Sequence, residues 1–211
     1  MIEQASNQKN LYEFTEIDRV EKTKQGFIAY TNYKEKIYCK KIVFATGYNF
    51  EFLNQSLCKR DISYTIVTKP IMDLKIYHST LIQDDKDPYH YMRMLPDKRI
   101  IFGGADTASK GKPIDNKKAK KKYQKLYKDL CKMLPDFAQE IEVEYSFCGY
   151  FGWTDNNLGL IGETEIENIY DFISCGANGV INAFAGVQIL LDAFENKSHP
   201  LSHLFSPKRK K

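Results

Sequence analysis

Residues 172–194 read FISCGANGVINAFAGVQILLDAF: a short β-rich run, a turn of small residues, and an apolar stretch of helical length. A strand from Asn168 to Ser174 and a helix from Gly179 to Phe194 are expected on either side of Gly176-Ala177-Asn178. The helix N-terminus then exposes unpaired backbone N–H groups and the positive end of its dipole, which suits an electron-rich ligand edge. The same pattern also describes a plain Gly/Asn helix start within a core. Either way the chain must combine sheet and helix.

The rest of the chain supplies the sheet. Leu11 to Phe14, Gly26 to Tyr30 and Lys36 to Cys39 predict a small antiparallel meander with turn-prone residues between the runs. Lys41 to Gly47 (KIVFATG) is a continuous apolar run ended by glycine, the pattern of a strand buried on both faces of an α/β sheet. Ser63–Ile71, Ser79–Ile82, Tyr89–Met94 and Arg99–Phe102 predict four short strands, with Pro96-Asp97-Lys98 as a hairpin turn. Asp115 to Leu134 changes period, its apolar residues recurring at helical spacing until Pro135. Ile141 to Phe151 alternates again as a strand, and Ser206 to Lys211 is a charged tail expected to fray.

Composition removes several classes of function. With 211 residues, 43% hydrophobic, the chain suits one large domain or two small ones. The 31 Lys+Arg against 27 Asp+Glu leave a net charge of +4, and nearly all the cations are Lys, whereas phosphate and guanine recognition favours Arg. No nucleic-acid role is expected. The lysines from Lys110 to Lys132 surround one apolar stripe and read as a solvated helix face. Cys39, Cys58, Cys131, Cys148 and Cys175 are odd in number and widely spaced, so neither a zinc knuckle nor a disulfide framework is suggested, and a reducing cytoplasm fits. No run approaches the length of a membrane span, and MIEQASNQKN has no apolar signal core.

His78, His90, His199 and His203 have no compact metal-binding spacing, and no metal is expected. Neither a serine-hydrolase elbow nor a P-loop is present. Three segments carry more. IVFATGYNF, 42–50, ends a strand in a small flexible turn at the carboxyl edge of a sheet. In YMRMLPDKRIIFGGAD, 91–106, Arg93 lies two residues from Tyr91 in an apolar strand, so both share one face. On an inward face Arg93 needs an anion, either a substrate carboxylate or a cross-sheet Asp or Glu. The third segment is the strand–turn–helix of 172–194.

In that order these segments resemble the FAD-dependent amine and amino-acid oxidoreductases, the family of D-amino-acid, glycine and sarcosine oxidases, and especially its glutamylputrescine-oxidase-like branch. IVFATGYN resembles the strand and turn near the nucleotide end of the flavin. SYTIVTKPI and YMRMLPDKRIIFGGAD resemble strands of the substrate domain, and FCGYFGWTDNNLGLIGE with CGANGVINAFAGVQIL resembles the return to the flavin domain. The resemblance covers about Leu11 to Phe194 and implies an α+β (mixed α/β) fold: an antiparallel or mixed substrate-domain sheet with packed helices, plus an incomplete part of an FAD-binding α/β domain. The implied division is 1–50, a meander and the last strand of a partial FAD-binding domain; 51–148, substrate-binding; 149–194, the return segment with its helix; and 195–211, a tail.

The resemblance further implies that Thr46 and Gly47 lie near the nucleotide part of FAD and that Gly176, Ala177, Asn178, Gly179 and Val180 line the flavin ring. Gly149 and Phe151 would approach the ring elsewhere, while Tyr91 and Arg93 would face the substrate. The only Trp, Trp153, is a core residue or a pocket wall. No catalytic residue is implied, because the cofactor carries the hydride chemistry at an amine or amino-acid C–N bond. The family's opening Gly-x-Gly-x-x-Gly turn is missing, so the chain reads as the C-terminal portion of a longer enzyme. Its expected partners are a small amine or amino-acid substrate and an N-terminal half or subunit bearing that turn. Alone, the chain is expected to bind FAD weakly and to expose apolar surface; the alternative is a stand-alone substrate- or partner-binding remnant without flavin chemistry. Asn156-Asn157-Leu158-Gly159 replaces the family's Asp-Gly-Leu-Pro, which questions the local loop geometry.

Overall fold

The computed structural model describes residues 11–48, 57–72, 74, 80–109, 113–176 and 178–209; His78 and Ala177 lie outside them. In chain order the strands are β1 (Ile17–Thr23), β2 (Gly26–Thr31), β3 (Lys36–Cys39), β4 (Ile42–Phe44), β5 (Lys59–Thr68), β6 (Leu81–Gln83), β7 (His90–Met94), β8 (Ile100–Ala108), β9 (Val143–Trp153), β10 (Leu160–Glu163) and β11 (Ile169–Ile173). The helices are α1 (Asn116–Met133), α2 (Gly179–Phe194) and the short α3 (Ser202–Phe205). Two compact units form: residues 1–47, 159–174 and 179–211, and residues 48–158 with 175–178. Cys148 and Gly149, where the sequence reading passes from one segment to the next, both lie inside β9.

The second unit is an antiparallel sheet in the order β6-β7-β8-β5-β9, with α1 on one face. Alternation fills that face with Ile62, Tyr64 and Ile66 of β5, Met92 and Met94 of β7, and Ile100 and Phe102 of β8. Against them α1 sets Ala119, Leu126 and Leu130, the latter two wholly buried. Truncating either leucine to Ala should cost about 2–5 kcal/mol. Asp115 caps α1 by accepting from the backbone N–H groups of Lys117 at 2.8 Å and Lys118 at 3.3 Å. The hairpin turn forms as expected, with Leu95 N–H donating to Arg99 O at 2.8 Å and Lys98 in the left-handed region.

Tyr91 and Arg93 do share a face, but it is the one opposite the core. Arg93 is exposed and makes no ion pair among the described residues. The inward-facing reading of Arg93 is therefore wrong: His90, Met92 and Met94 take the core side of β7, and strict alternation leaves Arg93 in water. Tyr91 stands opposite Gly103 and crosses it to bond Thr65 Oγ1 at 3.0 Å on the next strand.

The first unit holds the meander β1-β2-β3 and a mixed sheet in the order β10-β11-β4. The first strand is not Leu11–Phe14, where Phe14 adopts a positive φ and is 87% exposed. It is the charged run Ile17–Thr23, held through polar contacts to β2: Arg19 lies over the Tyr30 ring and Tyr30 donates to Glu21 at 2.6 Å. β4 pairs parallel with β11 through Ile42–Ile169, Val43–Tyr170 and Phe44–Asp171. Among the described residues β4 is an edge strand with Val43 exposed, rather than buried on both faces. Helix α2 covers one face of this sheet, Gly186 approaching Ile161 and Phe172 while Phe194 meets Tyr170 edge-on. Its far side exposes Val180, Ile181, Phe184, Val187 and Leu191. Part of the charged tail is packed rather than frayed: Pro207 is buried and Arg209 donates to Gly159 O at 2.8 Å and Leu204 O at 3.1 Å. Among the described residues no helix is long and apolar enough to cross a membrane.

Candidate functional site

A β-bulge shapes the most chemically distinctive part of the second unit. In β8, Ile100 and Phe102 face the core, so alternation alone would send Asp106 there too. The register with β5 shifts between Ile62 and Tyr64, and Gly104 and Ala105 both take positive φ. Ala105 then occupies the core and Asp106 turns to the opposite face. Gly104 has no substitute here: a Cβ would lie 2.2 Å from Tyr89 O.

Asp106 thereby joins Asp61, Tyr89, Phe151, Trp153, Gly176 and Asn178 in the wall of a cleft of about 580 Å³. Asp61 stands opposite Phe151 in the β5–β9 register and accepts from Trp153 Nε1 at 2.9 Å. Trp153 is thus a pocket wall. Burial pushes the Asp106 carboxyl above its ordinary range; a Ser63 hydrogen bond pulls it down, the Asp61 charge adds to the rise, and Lys122 opposes it. Asp106 Oδ1 itself is buried with no hydrogen-bond partner among the described residues. Tyr89 is also raised, by burial and then by the Asp106 charge.

The segment after Ser174 is pinned to β9, Gly176 N–H donating to Gly152 O at 2.7 Å. Beside it the buried thiols of Cys58 and Cys175 lie 3.8 Å apart. The loop that departs from Asp-Gly-Leu-Pro closes by other means. Asn156 Oδ1 accepts from Leu158 N–H at 3.1 Å, Thr154 Oγ1 donates to Leu158 O at 2.7 Å, and Asn157 takes the left-handed conformation.

Of the residues named from sequence, Phe151, Gly176 and Asn178 come together in this cleft, while Tyr91 and Arg93 are outside its lining. Gly149 lies opposite Ser63 with open space where a Cβ would be. In the first unit, Thr46 and Gly47 follow β4, Gly47 with positive φ and the same open space. Gly179 and Val180 begin α2, whose first turn carries no acidic side chain, and Val180 is exposed. Sequence reading missed Asp61 and Asp106; a Gly-Gly pair inside a strand pattern was the available sign of a bulge.

An antiparallel sheet backed by a helix, a mixed sheet with its strand–turn–helix, and a cleft reaching that turn's first residues are the fold that comparison with known proteins places. Residues 3–192 match the model of the FAD dependent oxidoreductase family, DAO, and the chain belongs to that family. Its fold is like that of glycine oxidase from Geobacillus kaustophilus, at 18% identity and a TM-score of 0.74 over 95% of this chain and 54% of that one. L-proline dehydrogenase from P. horikoshii gives 17% and 0.73 over 93% and 54%, and iminodiacetate oxidase from Chelativorans sp. BNC1 gives 12% and 0.65 over 89% and 51%. The chain spans about half the length of these structures. No curated protein matches it.

The family's cofactor is FAD. Within the first unit the residues present suit an electron-rich group: the backbone is open at Gly47, and the helix start at Gly179 is free of acidic side chains. No glycine-rich pyrophosphate turn occurs in the 211 residues.

Proposed function

We propose that this chain forms the substrate-side and ring-facing portion of an FAD-dependent oxidoreductase that removes two electrons from the C–N bond of an amine or amino acid, in the amine-oxidising branch of its family and in the cytoplasm. Gly176–Val180 would line the flavin ring with backbone N–H groups, Thr46 and Gly47 would adjoin its nucleotide part, and Gly149 and Phe151 would approach from β9. When bound, FAD supplies the two-electron acceptor for such a bond. The chain's own residues orient the substrate and exclude water: Phe151, Tyr89 and Trp153 give the cleft an aromatic wall, and Asp61 fixes Trp153. Arg93 and Tyr91 lie on the same sheet face as Thr65 and act, in this reading, at the substrate's entrance.

The observation that carries the reading is the convergence of Phe151, Gly176 and Asn178 on one cleft with polar and aromatic walls. The exposed apolar row of α2 supports a complete protein in which further chain covers that helix. The test is to isolate the native protein that contains this chain, record its visible spectrum, and mix it anaerobically with amines and amino acids. A flavin spectrum bleached by an amine is expected. A native protein without flavin, or one whose flavin no amine or amino acid bleaches, overturns the proposal and favours a binding module. For the 211-residue chain alone, a colourless preparation after FAD is added and removed is expected.

A further inference from the structure

Two thiols far apart in the chain meet inside the second unit. Cys58 stands just before β5, and Cys175 follows β11, 117 residues later. Both are in the thiol form and buried, 2% and 0% exposed, with their sulfurs 3.8 Å apart. Among the described residues no other two sulfurs are in contact; Cys39, Cys131 and Cys148 are each only partly buried.

The contact is framed by one position of β9. At Gly152 a Cβ would lie 2.9 Å from the Cys58 sulfur and 2.5 Å from the Tyr48 ring, so the sulfur and the ring occupy the place of a side chain. The carbonyl of the same glycine accepts from Gly176 N–H at 2.7 Å, which fixes the residue after Cys175. Tyr48 lies close to both thiols: burial raises its phenol, a Gly152 backbone hydrogen bond lowers it, and the charges of Cys175 and Cys58 add to the rise.

Sulfurs in van der Waals contact must close by roughly 1.8 Å to bond, less than the swing of one Sγ about its Cα–Cβ bond. Burial slows an oxidant without excluding it, because local opening admits a molecule as small as hydrogen peroxide. It also decides the product. A sulfenic acid on an exposed cysteine meets a second peroxide and goes on to sulfinic acid, whereas here a thiol is already in contact and bulk solvent is shut out.

We infer that Cys58 and Cys175 are a redox pair, which hydrogen peroxide converts into a disulfide that fastens the turn beginning at Cys175 to the start of β5. One thiolate attacks peroxide: an S–O bond forms, the O–O bond breaks, and the departing hydroxide takes up a proton as water. The second thiolate attacks the oxidised sulfur: the S–S bond forms, the S–O bond breaks, and a second water leaves in the same way. The two thiols give up two electrons and two protons, and peroxide ends as two waters. In a reducing compartment the bond is transient, formed on oxidative challenge and undone by dithiol exchange. The inference does not rest on the flavin reading.

The test uses the purified chain, fully reduced and then freed of reductant. It is treated with hydrogen peroxide under native conditions, the remaining thiols are alkylated after denaturation, and the digest is read by mass spectrometry. A peptide pair joined through Cys58 and Cys175 is expected, absent after dithiothreitol, with Cys39, Cys131 and Cys148 recovered as alkylated thiols. Closing a loop of this length should raise the midpoint of thermal unfolding by about 5–10 °C, reversibly with dithiothreitol. Cys175→Ala should show neither the link nor the peroxide-dependent rise, and Cys58→Ala makes the same test if Cys175→Ala lacks the wild-type far-UV dichroism. The inference is overturned if peroxide leaves both residues as thiols, carries either to sulfinic acid, joins either to another cysteine, or joins the two without raising the midpoint. The visible spectrum of the native protein judges flavin chemistry separately, so the two readings fail independently.

Discussion

Asp171 offers the sharpest physical test of the first unit. It sits mid-strand in β11, in register with Gly162 and Phe44, only 2% exposed, and its Oδ1 has no hydrogen-bond partner among the described residues. Burial alone raises its carboxyl from 3.8 to about 6. That rise corresponds to about 3 kcal/mol between the folded and unfolded states. The sign follows from which form the fold prefers. The folded state favours neutral Asp171, so its stabilisation is full below about pH 4, is lost as pH rises towards 6, and leaves an ionised, penalised group at neutrality. Asp171→Asn cannot ionise and removes this slope. Unfolding by urea, followed by far-UV dichroism at several pH values between 4 and 7.5, should show the variant gaining about 2 kcal/mol relative to wild type across that window. Any pH-independent cost of the amide cancels in this comparison. A difference between the two proteins that stays flat within about 0.5 kcal/mol over the range would refute the reasoning.

Asp84 should behave with the opposite sign. Burial pushes it up, but hydrogen bonds from the His90 backbone and imidazole outweigh burial and hold it at about 2. Its contribution of about 2 kcal/mol should be present above pH 4 and lost as pH falls towards 2; Asp84→Asn should flatten that part of the acid-denaturation curve. Gly186→Ala sets helix propensity against packing: Ala gains about 1 kcal/mol in a helix, but its Cβ would meet Ile161 Cδ1 at 2.3 Å and Phe172 at 3.1 Å, and overpacking costs about 1–3. Net destabilisation of up to about 2 kcal/mol is expected by thermal melting, and adding Ile161→Val should restore part of it in a double-mutant cycle.

What could be read ahead of the structure was local. The lysine-rich helix announced itself through one apolar stripe, a capping Asp115 and a stop at Pro135, all within a few residues of one another. The β11–turn–α2 unit and the Pro96–Lys98 turn were readable for the same reason, and the order of the motifs carried the family. The misses were non-local. β1 is too charged to announce itself, and its side chains make sense only against Tyr30 and Glu21 across the hairpin. β10 has only four residues, paired with β11, and did not stand out as a strand. The face taken by Arg93 depended on which side of β7 the helix covers.

The sequence by itself determined the alternation of short strands with two amphipathic or apolar helices, and the family, because these rest on periodicity and on runs of contiguous residues. The tertiary structure alone decided the cleft. Asp61, Asp106, Trp153 and Gly176 are far apart in the chain, and a one-residue bulge is what turns Asp106 from core to cleft. A strand's side chains have period two, so a single extra residue reverses every face beyond it, and only the paired strand reveals that it has happened.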